Sequence, residues 1–279
     1  MTRRGVSWAP LAVLVLAQIC YPLTTGATRA GLTVATVVLG WLLSVGHALL
    51  SRGPRVAVAL VAVATGGGFA IEAIGVATGV PFGSYDYSGE LGPKLAGVPL
   101  IIPLAWTWMA WPAWLAAVRL TGGAGSPALR RAWRIALAAL GLATWDLFLD
   151  PQMVAEGYWV WRDATPALPG LPGIPVSNYL GWLLFAVLLM SALRPLAGPT
   201  AEHTDQRDHP MIALYLWTYV SSVLAHAVFL DLPASALWGA AGMSVTAVPL
   251  AVTLLRARRA RDTHQVDRHA HRSGVDATR

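Results

Sequence analysis

Asp146 and Asp150 stand four residues apart at the end of an apolar run, ALAALGLATWDLFLDP, with Pro151 read as the helix stop. That spacing puts both carboxylates on one helix face. Glu72 is the one ionisable residue in another apolar run, 56–78. Acidic groups inside a bilayer are costly unless paired or neutralised, so each is a candidate for function as well as for an interhelical bridge. Desolvation favours the proton-bearing form of a carboxyl, which can then protonate an alkene while aromatic faces stabilise the carbocation. A second carboxylate can orient or deprotonate the water that captures the cation. These residue types allow that chemistry without singling it out. His226, near the end of a later run, reads as packing, and His47 falls near the opposite face. One histidine among carboxylates is a weak metal signature, and no metal site is expected.

The elements that carry these groups follow from composition. Of 279 residues, 56% are hydrophobic and only 12% charged, too few charges to cover a soluble surface, and the mean hydropathy is +0.55. Thirteen tryptophans against five phenylalanines suit a lipid–water interface. The single cysteine, Cys20, excludes an internal disulfide and a cysteine metal cluster. Eight apolar runs are long enough to cross a bilayer, near 8–25, 30–50, 56–78, 98–118, 131–149, 177–193, 211–230 and 234–255. The first reads as a retained helix instead of a signal peptide. Gly66, Gly67 and Gly68 inside the third allow a close neighbour. No internal repeat suggests a duplicated transporter.

The basic residues sit in short loops and the tail, so they report topology and not nucleic-acid binding. With alternating spans, 17 of the 20 Lys and Arg fall on one side and only Arg29, Lys94 and Arg162 on the other. Both termini are therefore expected in the cytoplasm of a cell-membrane protein. The expected fold is an all-α integral membrane bundle of about eight helices, one domain over 1–255, with two long structured extracytoplasmic loops. Residues 256–279 are expected to form a basic, disordered cytoplasmic tail. This topology brings Glu72, Asp146, Asp150 and His226 to the outer third of the bilayer, with Tyr21, Trp145, Asn178, Trp182 and Trp238 at similar depth.

Above them lies PFGSYDYSGELGPKLAGVPLIIP, from Pro81 to Pro103. Its four prolines and four glycines break helix and favour turns. Tyr85, Asp86, Tyr87, Glu90 and Lys94, the only lysine, make it a candidate lid or site wall, or else an ordinary structured loop. Trp106, Trp108, Trp111 and Trp114 read as packing, although an aromatic wall also suits a polyene.

Four blocks then carry a family likeness: GVPFGSYDY at 79–87, LGPKLAGVPLIIPLAW at 91–106, DLFLDPQM at 146–153, and GYWVW with GIPVSNYLGW between 157 and 182. They resemble the carotenoid biosynthesis membrane protein family of bacteria and archaea. Its characterised members are cofactor-free hydratases of the γ-carotene and bisanhydrobacterioruberin type, acting on acyclic end groups. Pro172 departs from the pattern, which has an aromatic residue there and bears on end-group preference. The resemblance implies Asp146, Asp150 and Glu72 as catalytic residues. It implies Tyr85, Tyr87, Lys94, Trp106, Trp159, Trp161, Asn178 and Trp182 as substrate-binding.

The expected activity is hydration of a terminal C1=C2 bond to a tertiary alcohol, without a cofactor. Asp146 or Asp150 protonates C2, Tyr85, Tyr87 and indoles stabilise the C1 cation, and Glu72, its charge set by Lys94, directs a water from the outer face. Expected partners are a membrane-embedded acyclic carotenoid, water and other enzymes of the pathway, with no nucleic acid. A carotenoid end-group cyclase would use the same acid but exclude water. A transporter or lipid-binding protein would use Glu72, Asp146 and His226 as a proton relay.

Overall fold

The computed structural model describes residues 7–123 and 125–276, the side chains of 261–276 excepted. α1 (Trp8–Cys20) ends in a 3-10 turn, Tyr21–Leu23. α2 (Gly26–Arg52) stops at Gly53, whose φ of 91° a side chain would disfavour. α3 (Pro54–Leu60) and α4 (Gly67–Thr78) are joined by a π-helical turn, Val61–Gly66, into one span. β1 (Tyr85–Tyr87), β2 (Lys94–Leu95) and β3 (Val98–Pro99) follow. Next come α5 (Ile102–Leu120), α6 (Pro127–Ala143) and α7 (Asp146–Ala155). β4 (Trp159–Trp161), β5 (Ala167–Leu168) and β6 (Leu171–Pro175) lead into α8 (Val176–Ala197). α9 (His209–Leu224) runs into a second π-helical turn, Ala225–Phe229, before α10 (Pro233–Asp276).

The chain is mostly helical and a membrane protein. Among the described residues, six helical segments are long and apolar enough to cross a bilayer: Gly26–Arg52, Pro54–Thr78, Pro127–Ala155, Val176–Ala197, Gln206–Phe229 and Pro233–Ala260. The expected count of eight would add Trp8–Leu23, which is shorter, and α5. α5 is the centre of the bundle. Sixteen of its 19 residues are buried, and it packs against α2, α4, α6, α9 and α10. Gly68 lets it approach: a Cβ there would lie 2.9 Å from the Trp106 ring.

Proline inside a helix leaves the carbonyl four residues earlier without its donor. Two distant serines fill that gap here. Trp108 O, orphaned by Pro112, accepts from Ser44 Oγ at 2.9 Å. Leu147 O, orphaned by Pro151, accepts from Ser235 Oγ at 2.7 Å. Pro151 therefore does not end its helix as expected; α7 continues to Ala155, and the connection after it is shorter.

The all-α expectation also needs amending, because the connections carry three small antiparallel ribbons, β1–β4, β2–β3 and β5–β6. In the first, Tyr85 pairs with Trp161, Asp86 with Val160 and Tyr87 with Trp159. Strand alternation turns the four rings to one face. Asp86 and Val160 take the exposed face, where Arg162 grips Asp86 at 2.7 Å and holds its carboxyl below the usual range.

Ion pairs mark two ends of the bundle. At one, Arg29 at the start of α2 pairs with Glu156 after α7. At the other, Arg52 meets the buried Asp208 at 2.7 Å, and Arg134 and Arg194 share Glu202. The backbone of α10 stays helical to Asp276, past residue 255, after which a disordered tail was expected. Most of that tail lies outside the residues whose side chains are described.

Candidate functional site

Glu72 lies on α4, six residues before Thr78 ends the helix, and is 3% exposed. Gly75, one turn on, leaves room for the loop to fold back: a Cβ there would stand 2.8 Å from both Phe82 and the Tyr85 hydroxyl. Three donors converge on the carboxyl. Glu72 Oε2 accepts from the Tyr85 hydroxyl at 2.6 Å and the Tyr87 hydroxyl at 2.8 Å, and Oε1 accepts from Trp106 Nε1 at 3.0 Å. Burial first, then the neighbouring carboxyl, pushes both tyrosines above their ordinary range, so they remain protonated donors. The loop, α4 and the central helix thus meet at one side chain.

The second cluster is built on α7 and α8. Asn178 Nδ2 donates to Asp146 Oδ2 at 2.9 Å and also to Asp150 Oδ2. Both hydrogens of one amide are thus given to two carboxyls. Asp146 is fully buried, and its Oδ1 has no partner among the described residues.

Glu72, Asp150 and Asn178 line one cavity. Tyr85, Tyr87, Trp106, Trp159, Trp161 and Trp182 form much of its wall. The rings brace one another: Trp106 stacks on Trp182 with centroids 3.8 Å apart, and Tyr87 meets Trp159 edge-on at 5.5 Å. Trp161 Nε1 donates to Phe82 O at 2.8 Å, tying the ribbon to the loop start. Phe82, Leu91, Ile101, Ile102, Leu149 and Met153 complete an apolar lining, and α2 contributes Thr33 and Val37. A small polar set within an apolar cavity is the usual make-up of a small-molecule site.

Nine of the eleven expected site residues therefore line this cavity, and two do not. Asp146 is not among the lining residues and accepts from Asn178. Lys94 is exposed and donates to the Tyr87 carbonyl, so it braces the loop and does not reach the Glu72 carboxyl. His226 also stays out, with Nδ1 2.9 Å from Ser235 Oγ and Nε2 3.2 Å from Gln152 Oε1. Trp238 ties down the later loop by donating to Pro169 O at 3.0 Å. The α2 wall was missed, since Thr33 and Val37 carry no chemical signal in an apolar run. Among the described residues no three His, Cys, Asp or Glu side chains are grouped to hold a metal ion.

The chain is 39% identical over 140 residues to a protein of Haloarcula japonica named bisanhydrobacterioruberin hydratase. The match covers 48% of this chain and 44% of that relative, less than half the length of each. No solved structure matches the chain. Residues 32–251 match the profile of the carotenoid biosynthesis proteins, and the chain belongs to that family.

Proposed function

We propose that the protein hydrates the terminal C1=C2 bond of an acyclic carotenoid end group. The observation that carries this reading is the pairing of two differently built carboxyl sites across one aromatic cavity. Asp150 faces the cavity, and Asn178 holds it against Asp146. Two carboxyls so close in an apolar setting do not both ionise, so the pair retains a proton. Asp150 gives that proton to C2, leaving a tertiary cation at C1. The faces of Tyr85, Tyr87 and the wall indoles stabilise the cation.

Glu72 accepts three hydrogen bonds, which offset part of the cost of burying a charge, and it acts in this reading as the carboxylate. It stabilises the positive charge and takes one proton from the water whose oxygen bonds to C1. That proton returns to the Asp146–Asp150 pair, so the net change is addition of one water with no electron transfer. The partial match to the Haloarcula hydratase supports the same chemistry.

Labelled water separates this reaction from its rivals. Incubation without dioxygen in oxygen-labelled water is expected to give an alcohol carrying one labelled oxygen. A cyclised product, or a strict need for dioxygen, would end the hydratase reading.

We also place the cavity on the extracytoplasmic side, with both termini in the cytoplasm of a cell-membrane protein. The gathering of Arg52, Arg134, Arg194 and Arg207 at the opposite end supports this orientation. A reporter fused after Arg279 is expected to be cytoplasmic and one inserted near Ala167 external. The reverse labelling would reject the orientation.

A further inference from the structure

At the other end of the bundle, α5, α6 and the connection between α8 and α9 enclose a pocket lined by Arg119, Arg130, Arg134, Glu202, His203 and Thr204. Ile102, at the start of α5, lines the reaction cavity, and Arg119 stands in the last turn of the same helix, about 25 Å away. The pocket wall is held from behind. Trp114 Nε1 donates to Ala201 O at 2.7 Å and Arg52 Nη2 to His203 O at 2.8 Å, which pins the connection. The buried Arg134 donates to Thr121 Oγ1 at 2.9 Å and to Glu202 Oε2 at 3.1 Å.

Charge in this pocket does not balance. The three carboxylates of the connection are already engaged: Glu202 by Arg134 and Arg194, Asp205 by Arg207, and Asp208 by Arg52. The guanidiniums of Arg119 and Arg130 have no hydrogen-bond or ion-pair partner among the described residues. Both residues are half-buried, so a ligand can reach them. Arg130 precedes Arg134 by one turn of α6, which puts the two on one face. Guanidinium forks match the oxygens of a phosphate, and partly buried charges are screened less than exposed ones.

The surroundings of Arg130 say which phosphate. Leu129 and Trp133 lie one turn apart on the adjoining strip of α6 and are 52% and 55% exposed. α6 opens a segment long and apolar enough to cross a bilayer, and an exposed indole near the start of such a segment suits the lipid–water boundary. Acyl chains can lie along Leu129 and Trp133 while the headgroup reaches Arg119 and Arg130. A water-soluble phosphate has no use for that apolar strip.

We propose that this pocket binds the phosphate headgroup of an anionic phospholipid, with Arg119 and Arg130 as its ligands and the Arg134–Glu202 pair as part of its wall. The assignment is independent of the chemistry in the reaction cavity.

The test titrates the full chain in detergent with phosphatidylglycerol, phosphatidylcholine or inorganic phosphate. Native mass spectrometry counts bound lipid, and the melting temperature reports stabilisation by binding. Wild type is expected to hold phosphatidylglycerol in preference to phosphatidylcholine and to melt higher with it. Arg119→Gln and Arg130→Gln should each weaken that binding about fivefold, and the double variant about 25-fold. Without lipid these variants should melt as wild type does, because neither side chain has a partner to lose. Leu129→Gln, Trp133→Gln should weaken the lipid as well. Arg131→Gln, Arg256→Gln removes two exposed arginines outside the pocket and should leave binding intact. Equal loss from the two arginine pairs would reduce the effect to diffuse surface charge and overturn the site. Inorganic phosphate bound as tightly as the lipid, or no preference for phosphatidylglycerol over phosphatidylcholine, would overturn the lipid assignment.

Discussion

Asp150→Asn is expected to leave a folded protein that binds its polyene and fails to convert it. The substitution keeps the shape, and an amide oxygen at position 150 can still accept from Asn178 Nδ2, which now bonds the aspartate. What disappears is the proton facing the cavity. Loss of a positioned general acid lowers the rate by about 10²–10⁴. Asp146→Asn should cost less turnover, because Asp146 does not line the cavity and acts on the adjacent Asp150. The measurement is turnover per folded enzyme in detergent, with polyene absorption spectra to report binding. A structural pair would behave otherwise: both variants would give less folded protein, with normal turnover in what remains. Near-normal turnover in Asp150→Asn would remove it as the acid, and a larger loss in Asp146→Asn would exchange the two roles.

How far the sequence led depended on whether a signal was local. Ionisable residues in apolar runs stand out one at a time, so Glu72, Asp146 and Asp150 were legible, as was a loop wall built from Tyr85 and Tyr87. Helical spacing placed the two aspartates on one face but not at different distances from a cavity. That difference shows only in the fold, where Asp150 lines the cavity and Asp146 does not. Lys94 was misplaced for a similar reason, since a lone cation in a loop gives no direction and its acceptor is the Tyr87 carbonyl. Pro151 read as a helix stop because its rescue comes from Ser235, 84 residues later. The β1–β4 ribbon joins two three-residue stretches too short for their alternation to declare a strand. The α2 wall is invisible without the fold, for Thr33 and Val37 matter only by position.

Glu72→Gln should also abolish alcohol formation, by a different route whose two costs can be measured apart. The first is stability. Trp106 Nε1 can keep its bond to the remaining carbonyl oxygen, but the new amide nitrogen faces the Tyr85 and Tyr87 hydroxyls, which now donate to a carboxylate oxygen. Both hydroxyls can rotate to accept one amide hydrogen each, but their own protons then lose the carboxylate acceptor, at about 1–3 kcal/mol. That lowers the melting temperature without preventing folding. The second cost is catalytic. A neutral amide neither balances the charge at C1 nor takes the proton of the incoming water, and loss of such a group costs about 10²–10³ in rate. Tyr85→Phe provides the control. It removes one donor and carries a comparable stability cost, yet keeps the carboxylate, so its turnover should fall far less than that of Glu72→Gln. Deuterium exchange into the recovered substrate should survive in both variants, since Asp150 still supplies the proton. If the two variants lost turnover equally and in step with their melting temperatures, Glu72 would be an anchor for the loop, and the group that receives the water's proton would have to lie elsewhere.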